Sequence, residues 1–464
     1  MQTRKPAILP PLDLNFMPAV LQSRAFSQSV AASGCGKRLI IAIERGSSLV
    51  STFETTVFTD EAGMDDENNA HAERLVKSLL WIYGGWKVTV AGSEKVAAFI
   101  RNEYSPGQLR AFDAAFMSRV YERPFTVKSC PLEAAPAAHE SAKPVGRHLD
   151  GCRIGFDAGG SDRKVSAVVD GKVVYTEEVI WHPKTQVDPD YHYRGIMESV
   201  KAAASKMPRV DALGVSSAGV LVDNRVMVAS LFLKVPLDLF NAKVKDIYLR
   251  VAEEMGGIPV EIANDGDVTA LAGAMDLGDN GVLGIAMGTA QAGGYVDKNG
   301  NITGWLNELA FVPVDFNPAS MADEWSGDYG CGVKFFSQDA VIKLAPAAGI
   351  VLDAALSPAE KLKVVQDLHE AGDSRANGIF ESIGVYLGYA IAYYAQFYDI
   401  RHVLVLGRVT SGKGGTLILE KAHEVLQTEF PELAGKLDIG MPDESGKRVG
   451  QSIAAASLPD ITKK

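Results

Sequence analysis

The stretch Asp157-Ala-Gly-Gly-Ser161 follows an apolar segment at 153–156 and precedes a second strand-like segment at 164–169. In such a hairpin turn the glycines let backbone N–H groups approach an anion closely, and the serine hydroxyl adds a donor. The aspartate can hold, through water, the metal that accompanies a nucleotide. A plain hairpin turn is the alternative, because Gly-Gly turns are common. The candidate phosphate-binding residues are Asp157, Gly159, Gly160 and Ser161.

A second glycine-rich turn, Met287-Gly-Thr-Ala-Gln-Ala-Gly-Gly294, also interrupts two strands, about 130 residues later. Two such turns resemble the paired phosphate loops of the actin, hexokinase and heat-shock fold. In that fold one loop from each lobe grips the phosphates, so lobe closure accompanies nucleotide binding. The resemblance predicts an α/β, two-lobed actin-like ATPase (ribonuclease H-like) fold. It adds Gly288 and Thr289 to the phosphate-binding residues.

The stretch Glu261-Ile-Ala-Asn-Asp-Gly-Asp-Val-Thr-Ala-Leu271 indicates a strand that ends at the start of an alanine-rich helix. Asp265 or Asp267 could simply cap this helix. The stretch closely resembles the Asn-Asp motif of the ROK (repressor, open reading frame, kinase) family, which includes sugar kinases. In that family the pair binds the sugar and supplies the catalytic base. The resemblance implies that Asn264 binds a sugar and that Asp265 takes the proton of its hydroxyl.

Further segments resemble the family in its order, over roughly 310 residues. Val215-Ser-Ser-Ala-Gly219 is similar to its small-residue sugar loop, 304–314 to its second sugar segment, 403–415 to its adenosine-binding turn, and 450–458 to its closing helix. The resemblance implies a hexose or hexose derivative as substrate, ATP and Mg²⁺ as cofactors, and a homodimer. The implied sugar-binding residues are Asn264, Glu308, Ser217, Gly219, Phe311 and Gln338, and the adenosine turn adds Gly407 and Arg408.

The zinc site of the family is the main departure from its pattern. The family builds this site from a histidine and three cysteines, but the histidine position holds Phe311 and only Cys331 remains of the cysteines. Tetrahedral zinc needs four ligands, so we predict no structural zinc. We expect Phe311, Tyr329 and Phe336 to form an apolar plug instead. Phe311 and Gln338 also replace two polar sugar contacts of the family, which favours a ligand other than plain glucose.

The nucleotide loops depart from the family as well. Ala290 and Ala292 stand where members commonly have glycine, and Arg408 replaces the second glycine of the adenosine turn. Each adds side-chain atoms near a nucleotide, although a guanidinium can also stack on adenine or pair with phosphate. A sugar kinase is the leading hypothesis. The alternatives are a non-catalytic sugar sensor, since the family includes repressors, and a pseudokinase or regulator.

The composition is that of an ordinary globular protein. Of 464 residues, 47% are apolar and 22% are charged, with a formal net charge of -11. This acidic balance argues against a large nucleic-acid-binding face, because duplex affinity depends on Lys and Arg. The four cysteines form no CxxC pair, as is typical of a reduced cytoplasmic protein. We also expect no signal peptide at 1–37 and no membrane span.

The chain ahead of these motifs predicts a separate small unit. Paired strands at 38–42 and 48–58, a helix at 69–83 and a strand at 86–91 indicate an α/β domain of unknown role. It has no basic recognition helix, so DNA binding is not expected. The predicted organisation is an extension at 1–37, the small domain at 38–130, a Pro/Ala-rich linker at 131–150 and a kinase domain at 151–464, with lobe 1 at about 151–275 plus 445–464 and lobe 2 at about 276–444.

Overall fold

A computed structural model of the chain describes residues 4–140, 145–442 and 447–461. The chain divides into two compact units. The first comprises Met1–Ser141, Ile285–Gly293 and Trp305–Gly440, and the second comprises Ala142–Gly284, Gly294–Gly304 and Met441–Lys464. Within the described residues, no helix combines the length and the apolar character that crossing a membrane requires.

The helices and strands follow in chain order. Residues 4–140 contain α1 (Ala19–Ser33), β1 (Gly36–Glu44), β2 (Val50–Phe58), α2 (Asp65–Tyr83), β3 (Lys87–Ala91), α3 (Glu94–Glu103), α4 (Ala111–Tyr121) and β4 (Thr126–Cys130). Then come β5 (Cys152–Ala158), β6 (Asp162–Val169), β7 (Lys172–Ile180), α5 (Pro189–Ala204), β8 (Ala212–Ser217), β9 (Val220–Val222), β10 (Arg225–Val228), α6 (Leu237–Leu239), α7 (Ile247–Glu254), β11 (Val260–Asn264), α8 (Asp265–Leu277), β12 (Val282–Met287) and β13 (Gln291–Val296). The last elements are α9 (Gln338–Leu344), α10 (Pro358–Glu370), α11 (Ser374–Tyr394), β14 (His402–Leu406), α12 (Lys413–Glu429), α13 (Pro431–Ala434), β15 (Asp438–Gly440) and α14 (Lys447–Ala456).

The second unit is built on a five-stranded sheet with the order β11-β8-β5-β6-β7. The strands β5, β8 and β11 are parallel, and β6 and β7 are antiparallel to their neighbours. Every residue of β5 and β8 is buried, as expected for strands covered on both faces. Register pairs Ser217 with both Ala158 and Asn264, so the carboxyl ends of the three parallel strands form one edge. Ligands of open α/β sheets bind at such an edge.

Helix α14 packs directly against the backbone of this sheet. A Cβ atom on Gly155 would lie 1.8 Å from the carbonyl oxygen of Ser452, and one on Gly214 would lie 1.7 Å from that of Ala455. No side chain fits at such distances, so glycine is required at both positions. The helix overlaps the segment 450–458 that resembles the closing helix of the ROK family and begins three residues before it.

The first unit contains a four-stranded sheet with the order β2-β1-β3-β4 and most of a second one with the order β13-β12-β14-β15. The antiparallel pairing of β1 with β2 confirms the pair of strands predicted from the sequence. Most residues of helix α11 are buried, including its tyrosines. Helix α1 was not predicted. It begins after Pro18 and ends at Gly34, whose φ of 68° is left-handed.

The N-terminal residues of the first unit pack on its C-terminal elements. The ring of Phe16 meets that of Tyr386 at 4.7 Å, and the N–H of Met17 donates to the Asp315 carboxylate. The N–H of Ala19 donates to the carbonyl of Val314 at 2.9 Å. Residues 4–140 therefore share one core with 305–440.

Candidate active site

The second unit places the Asn-Asp pair where strand β11 passes into helix α8. Asn264 is the N-cap: its Oδ1 accepts from the N–H of Gly266 at 2.7 Å, and its Nδ2 donates to the carbonyl of Gly219 at 2.8 Å. An amide has two N–H groups and two acceptor lone pairs, so one of each remains for a ligand. The position of Gly219, with a φ of 120°, thus orients the amide of Asn264.

The carboxylate of Asp265 begins the first turn of α8. Its Oδ1 accepts from the N–H of Gly266 at 3.0 Å, while the described residues give its Oδ2 no hydrogen-bond partner. Burial raises the pKa of Asp265, although the N–H groups of the helix start lower it. Removal from water makes a carboxylate a stronger base. The sequence left open that Asp265 or Asp267 caps this helix, but in the structure the N-cap is Asn264.

A second carboxylate, that of the buried residue Asp157, lies near the half-buried Asp265 at the end of β5. Ser216 Oγ donates to Asp157 Oδ1 at 2.8 Å, and Gln451 Nε2 donates to Ser216 Oγ at 3.2 Å. Burial raises the pKa of Asp157 to about 6, the hydroxyl of Ser216 lowers it, and the charge of Asp265 raises it. Among the described residues neither of these two carboxylates forms an ion pair, and burial favours the protonated form of both.

The turn after Asp157 is a hairpin between β5 and β6. The carbonyl of Gly159 accepts from the indole of Trp181 at 2.8 Å, and the hydroxyl of Ser161 donates to Asp162 at 3.2 Å. A Cβ on Gly160 would lie 3.1 Å from Lys184 Nζ, so an ammonium group covers this turn. Sequence reasoning missed Lys184, which reaches the turn only through the fold.

Ser217 is turned into the core of the second unit. Its side chain is fully buried, and its hydroxyl shares a hydrogen bond of 2.9 Å with that of Tyr248. Of the residues predicted in this unit, the structure therefore brings Asp157, Asn264 and Asp265 to one edge and commits Ser217 to an internal contact.

The first unit brings the second glycine turn and the adenosine turn together. A Cβ on Gly407 would lie 2.4 Å from the carbonyl oxygen of Met287, so glycine is required where β14 ends. The carbonyl of Gly288 accepts from the N–H of Gln338 at 2.9 Å, which places Gln338 beside the phosphate-type turn. Thr289 and Arg408 are exposed.

The segment that carries Glu308 is paired with the end of helix α2. The N–H groups of Leu306, Asn307 and Glu308 donate to the carbonyls of Tyr83, Ile82 and Trp81 at 3.3, 2.9 and 3.0 Å. Glu308 precedes a short 3₁₀ turn, and the N–H of Phe311 donates to its carbonyl at 3.1 Å. The ring of Phe311 stacks on Trp81 at 4.1 Å, so one of its faces is covered by the protein.

The apolar plug expected around Cys331 is wrong in part. Phe336 is fully buried, but the ring of Tyr329 faces the guanidinium of Arg74 at 4.0 Å. The thiol of Cys331 lies 3.7 Å from Asp328, and burial raises its pKa. The plug prediction considered only the loop itself, whereas the space is filled by charged side chains of α2 and by Arg110.

These charged side chains form a buried ionic cluster around Asp328. Its carboxylate accepts two hydrogen bonds from Arg74, at 2.9 and 3.1 Å, and contacts Arg110 at 2.8 Å and Lys77 at 3.3 Å. Burial alone would raise the pKa of Asp328, but Lys77, Arg74 and Arg110 together hold it well below its ordinary value. The ionic cluster consists of Glu73, Arg74, Lys77, Arg110, Asp113 and Asp328.

The residues present fit a magnesium ion better than a zinc ion. Mg²⁺ is held by one or two carboxylates, keeps several waters and binds substrate phosphates, which suits the single carboxylate of Asp157. Across the described ranges, no group of three His, Cys, Asp or Glu side chains could hold a metal ion. Zinc needs such a protein cage.

The comparisons with known proteins concern the family and the fold. The sequence model of the ROK family matches residues 153–437, more than half of the chain. The chain is similar in structure to the ROK hexokinase from Thermus thermophilus, with 19% identity, a TM-score of 0.53, and coverage of 66% of this chain and 97% of that chain. It is also similar to a ROK family transcriptional regulator, a homologue of the E. coli MLC protein, with 16% identity, a TM-score of 0.50, and coverage of 67% and 79%. A comparison with curated proteins gives no match.

At these identities the two structures show the fold alone, which is the two-lobed actin-like α/β fold predicted from the glycine turns. The family range begins at residue 153, so residues 4–140 lie outside it. The match over most of the C-terminal part of the chain, together with the fold, leads to one conclusion: the chain belongs to the ROK family.

Proposed function

We propose that the protein is a kinase that transfers the γ-phosphoryl group of ATP to a hydroxyl of a hexose or hexose derivative. The observation that carries this proposal is the placement of Asp265. Its carboxylate stands at the start of α8, at the edge of a parallel sheet, with Oδ2 unpartnered among the described residues and its pKa raised by burial. A general base needs this combination of access and basicity.

The other residues of the edge suit the same reaction. Asn264 keeps an N–H and a lone pair with which to orient a sugar hydroxyl, and Asp157 offers a carboxylate to the cation that accompanies ATP. Mg²⁺, when bound, neutralises charge on the phosphates. In the first unit, Glu308 remains the proposed sugar ligand, and Gly288 and Gly407 the proposed nucleotide contacts.

The test is a panel assay for ADP formation with ATP, Mg²⁺, and hexoses, amino-hexoses and glucosides. At least one sugar is expected to be phosphorylated. Asp265→Asn should lower kcat by about 10³-fold, because loss of a general base costs on the order of 10²–10⁴. The sugar should still raise the melting temperature of this variant.

Asp267→Asn is the matched control. Asp267 lies on the same helix turn and is buried, but its Oδ1 accepts from the backbone N–H of Tyr295 at 3.0 Å, a bond that an asparagine oxygen can also accept. Its kcat should stay within about threefold of the original protein, a change worth less than one hydrogen bond. If both variants lose activity equally, Asp265 has no special role.

A non-catalytic sugar sensor is the second candidate. The observations that favour it are Ala290 and Ala292 in the phosphate turn and the exposed side chain of Arg408 in the adenosine turn. The same panel separates the two functions. If a sugar raises the melting temperature but no ADP forms at any ATP concentration, the protein acts as a sensor.

A further inference from the structure

Helix α2 lies outside the range that the family model matches, yet it reaches the proposed sugar segment. The last carbonyls of an α-helix have no partner within the helix. In α2 the carbonyls of Trp81, Ile82 and Tyr83 accept the N–H groups of Glu308, Asn307 and Leu306. The end of α2 supplies the acceptors and the segment 306–308 supplies the donors of these backbone hydrogen bonds.

The side chains of α2 reinforce this pairing. Trp81 is fully buried, stacks on Phe311 and donates its indole N–H to Asp113 at 3.0 Å. One and two turns earlier, Lys77 and Arg74 bind the carboxylate of Asp328. Residues spaced by three or four positions lie on one face of a helix, so a single face of α2 makes all these contacts.

The backbone around Glu308 needs such support. Asn307 has a left-handed φ of 52°, which asparagine tolerates better than most residues other than glycine but still at a cost. Its side-chain Oδ1 accepts from the hydroxyl of Tyr398 at 3.0 Å, and its N–H donates to α2. A strained residue persists only where its surroundings fix it.

We propose that α2 positions Glu308 for sugar binding, and that Trp81 is the positioning residue. This inference rests on the proposed function, because it assigns to Glu308 a contact with the sugar. Loss of the Trp81 indole frees Phe311 and loosens the pairing of Asn307 and Glu308 with the helix end. Sugar affinity then falls, while the turns at Gly288 and Gly407 keep their geometry.

The experiment compares Trp81→Leu with Trp86→Leu in the full chain. Trp86 also belongs to the N-terminal part of the first unit, but its indole donates to the carbonyl of Arg45 and not to the sugar segment. Hydrogen exchange of the amides of Leu306, Asn307 and Glu308 reports the pairing directly, without any activity. We expect these amides to exchange at least about tenfold faster in Trp81→Leu and unchanged in Trp86→Leu, because exchange follows local opening.

The kinetic readout uses the best sugar of the panel. We expect KM for the sugar to rise about tenfold in Trp81→Leu, with kcat and KM for ATP within about twofold, because misplacement of a binding group acts on the ligand that it holds. Unchanged amide exchange in Trp81→Leu overturns the positioning role. So does an equal fall in kcat and in both affinities, or the same effect in Trp86→Leu.

Failure of the proposed function gives a different result. In that case no sugar yields ADP, and the midpoint of the sugar-induced shift in melting temperature replaces KM. A midpoint that rises about tenfold in Trp81→Leu alone, with faster amide exchange, supports the positioning of Glu308 in a sensor. If no sugar shifts the melting temperature of the original protein, the sugar contact of Glu308 is refuted together with this inference.

Discussion

The two units bury their carboxylates in opposite ways. In the second unit, Asp157 and Asp265 lie at one sheet edge with no ion pair to any residue that the structure describes, and burial raises the pKa of each. In the first unit, Asp328 is surrounded by three cations that hold its pKa well below the ordinary value. The first arrangement keeps carboxylates available for protons and cations. In the second arrangement, the charge of Asp328 is paired with surrounding cations and stabilises the fold.

The difference shows how a buried acid is to be interpreted. An unpaired buried carboxylate is costly to the fold, so its retention favours a role in binding or catalysis. A buried carboxylate with matched cations needs no such role. The ionic cluster is balanced, since Glu73, Asp113 and Asp328 face Arg74, Lys77 and Arg110.

The largest expected effect separates the two carboxylates by stability. Asp328→Asn should lower the free energy of unfolding by about 3–5 kcal/mol, because it leaves three buried cations facing only two carboxylates, Glu73 and Asp113. Asp265→Asn should change it by less than about 1 kcal/mol, because no cation is left behind. Urea unfolding of both variants measures this. Equal losses would break the distinction between the units.

A somewhat smaller effect is expected on the stability of the fold at acidic pH. Burial lowers the pKa of His71, on α2, to about 4 from an unfolded value of 6.5, so folding favours the neutral ring. The stability that this neutrality contributes is fully present above pH 6.5 and is lost as pH falls toward 4. The loss amounts to about 3 kcal/mol, at about 1.36 kcal/mol for each unit of pKa.

His71→Phe tests this prediction. Phenylalanine keeps the stack on Phe26, whose ring lies 4.0 Å from that of His71, but it cannot titrate. Unfolding free energies at pH 7 and pH 4.5 should therefore differ less in the variant than in the original protein. An identical pH dependence in both proteins would assign the acid sensitivity to other groups.

The smallest expected effect concerns the close approach of α14 to the backbone of the sheet in the second unit. Gly155→Ala places a methyl group against the carbonyl of Ser452 and should cost about 1–3 kcal/mol through overpacking. Gly440→Ala, with no atom near the added methyl, is the control. Thermal unfolding measures both, and a neutral Gly155→Ala would show that α14 can shift away.

Local patterns allowed the fold and much of the edge to be predicted from the sequence. The β1–β2 pair and the strand-to-helix passage at Asp265 depend on neighbouring residues, and the resemblance to the ROK family rests on such short motifs. Helix α1 was not predicted because its serine-rich sequence has only a weak apolar face. Its apolar residues are buried by elements far along the chain.

The ionic cluster could not be predicted for a related reason. Arg74 and Asp328 are separated by 254 positions, and each alone looks like a solvated surface charge. The pairing of Glu308 with Trp81 also joins residues more than 200 positions apart. Only the fold brings such partners together, and no period or motif in the sequence announces them.

The hydrogen bonds between the end of α2 and residues 306–308 limit how this chain can be truncated. A domain that is merely attached can be exchanged or deleted at its linker. Here, removal of residues 4–140 would strip carbonyl partners from Leu306, Asn307 and Glu308 and take away the three cations that pair with Asp328. We therefore expect the ROK-family part of this chain to be destabilised when it is separated from residues 4–140. The N-terminal part of the chain is integral to the first unit, because removal of either part leaves hydrogen-bond and charge partners of the other unpaired.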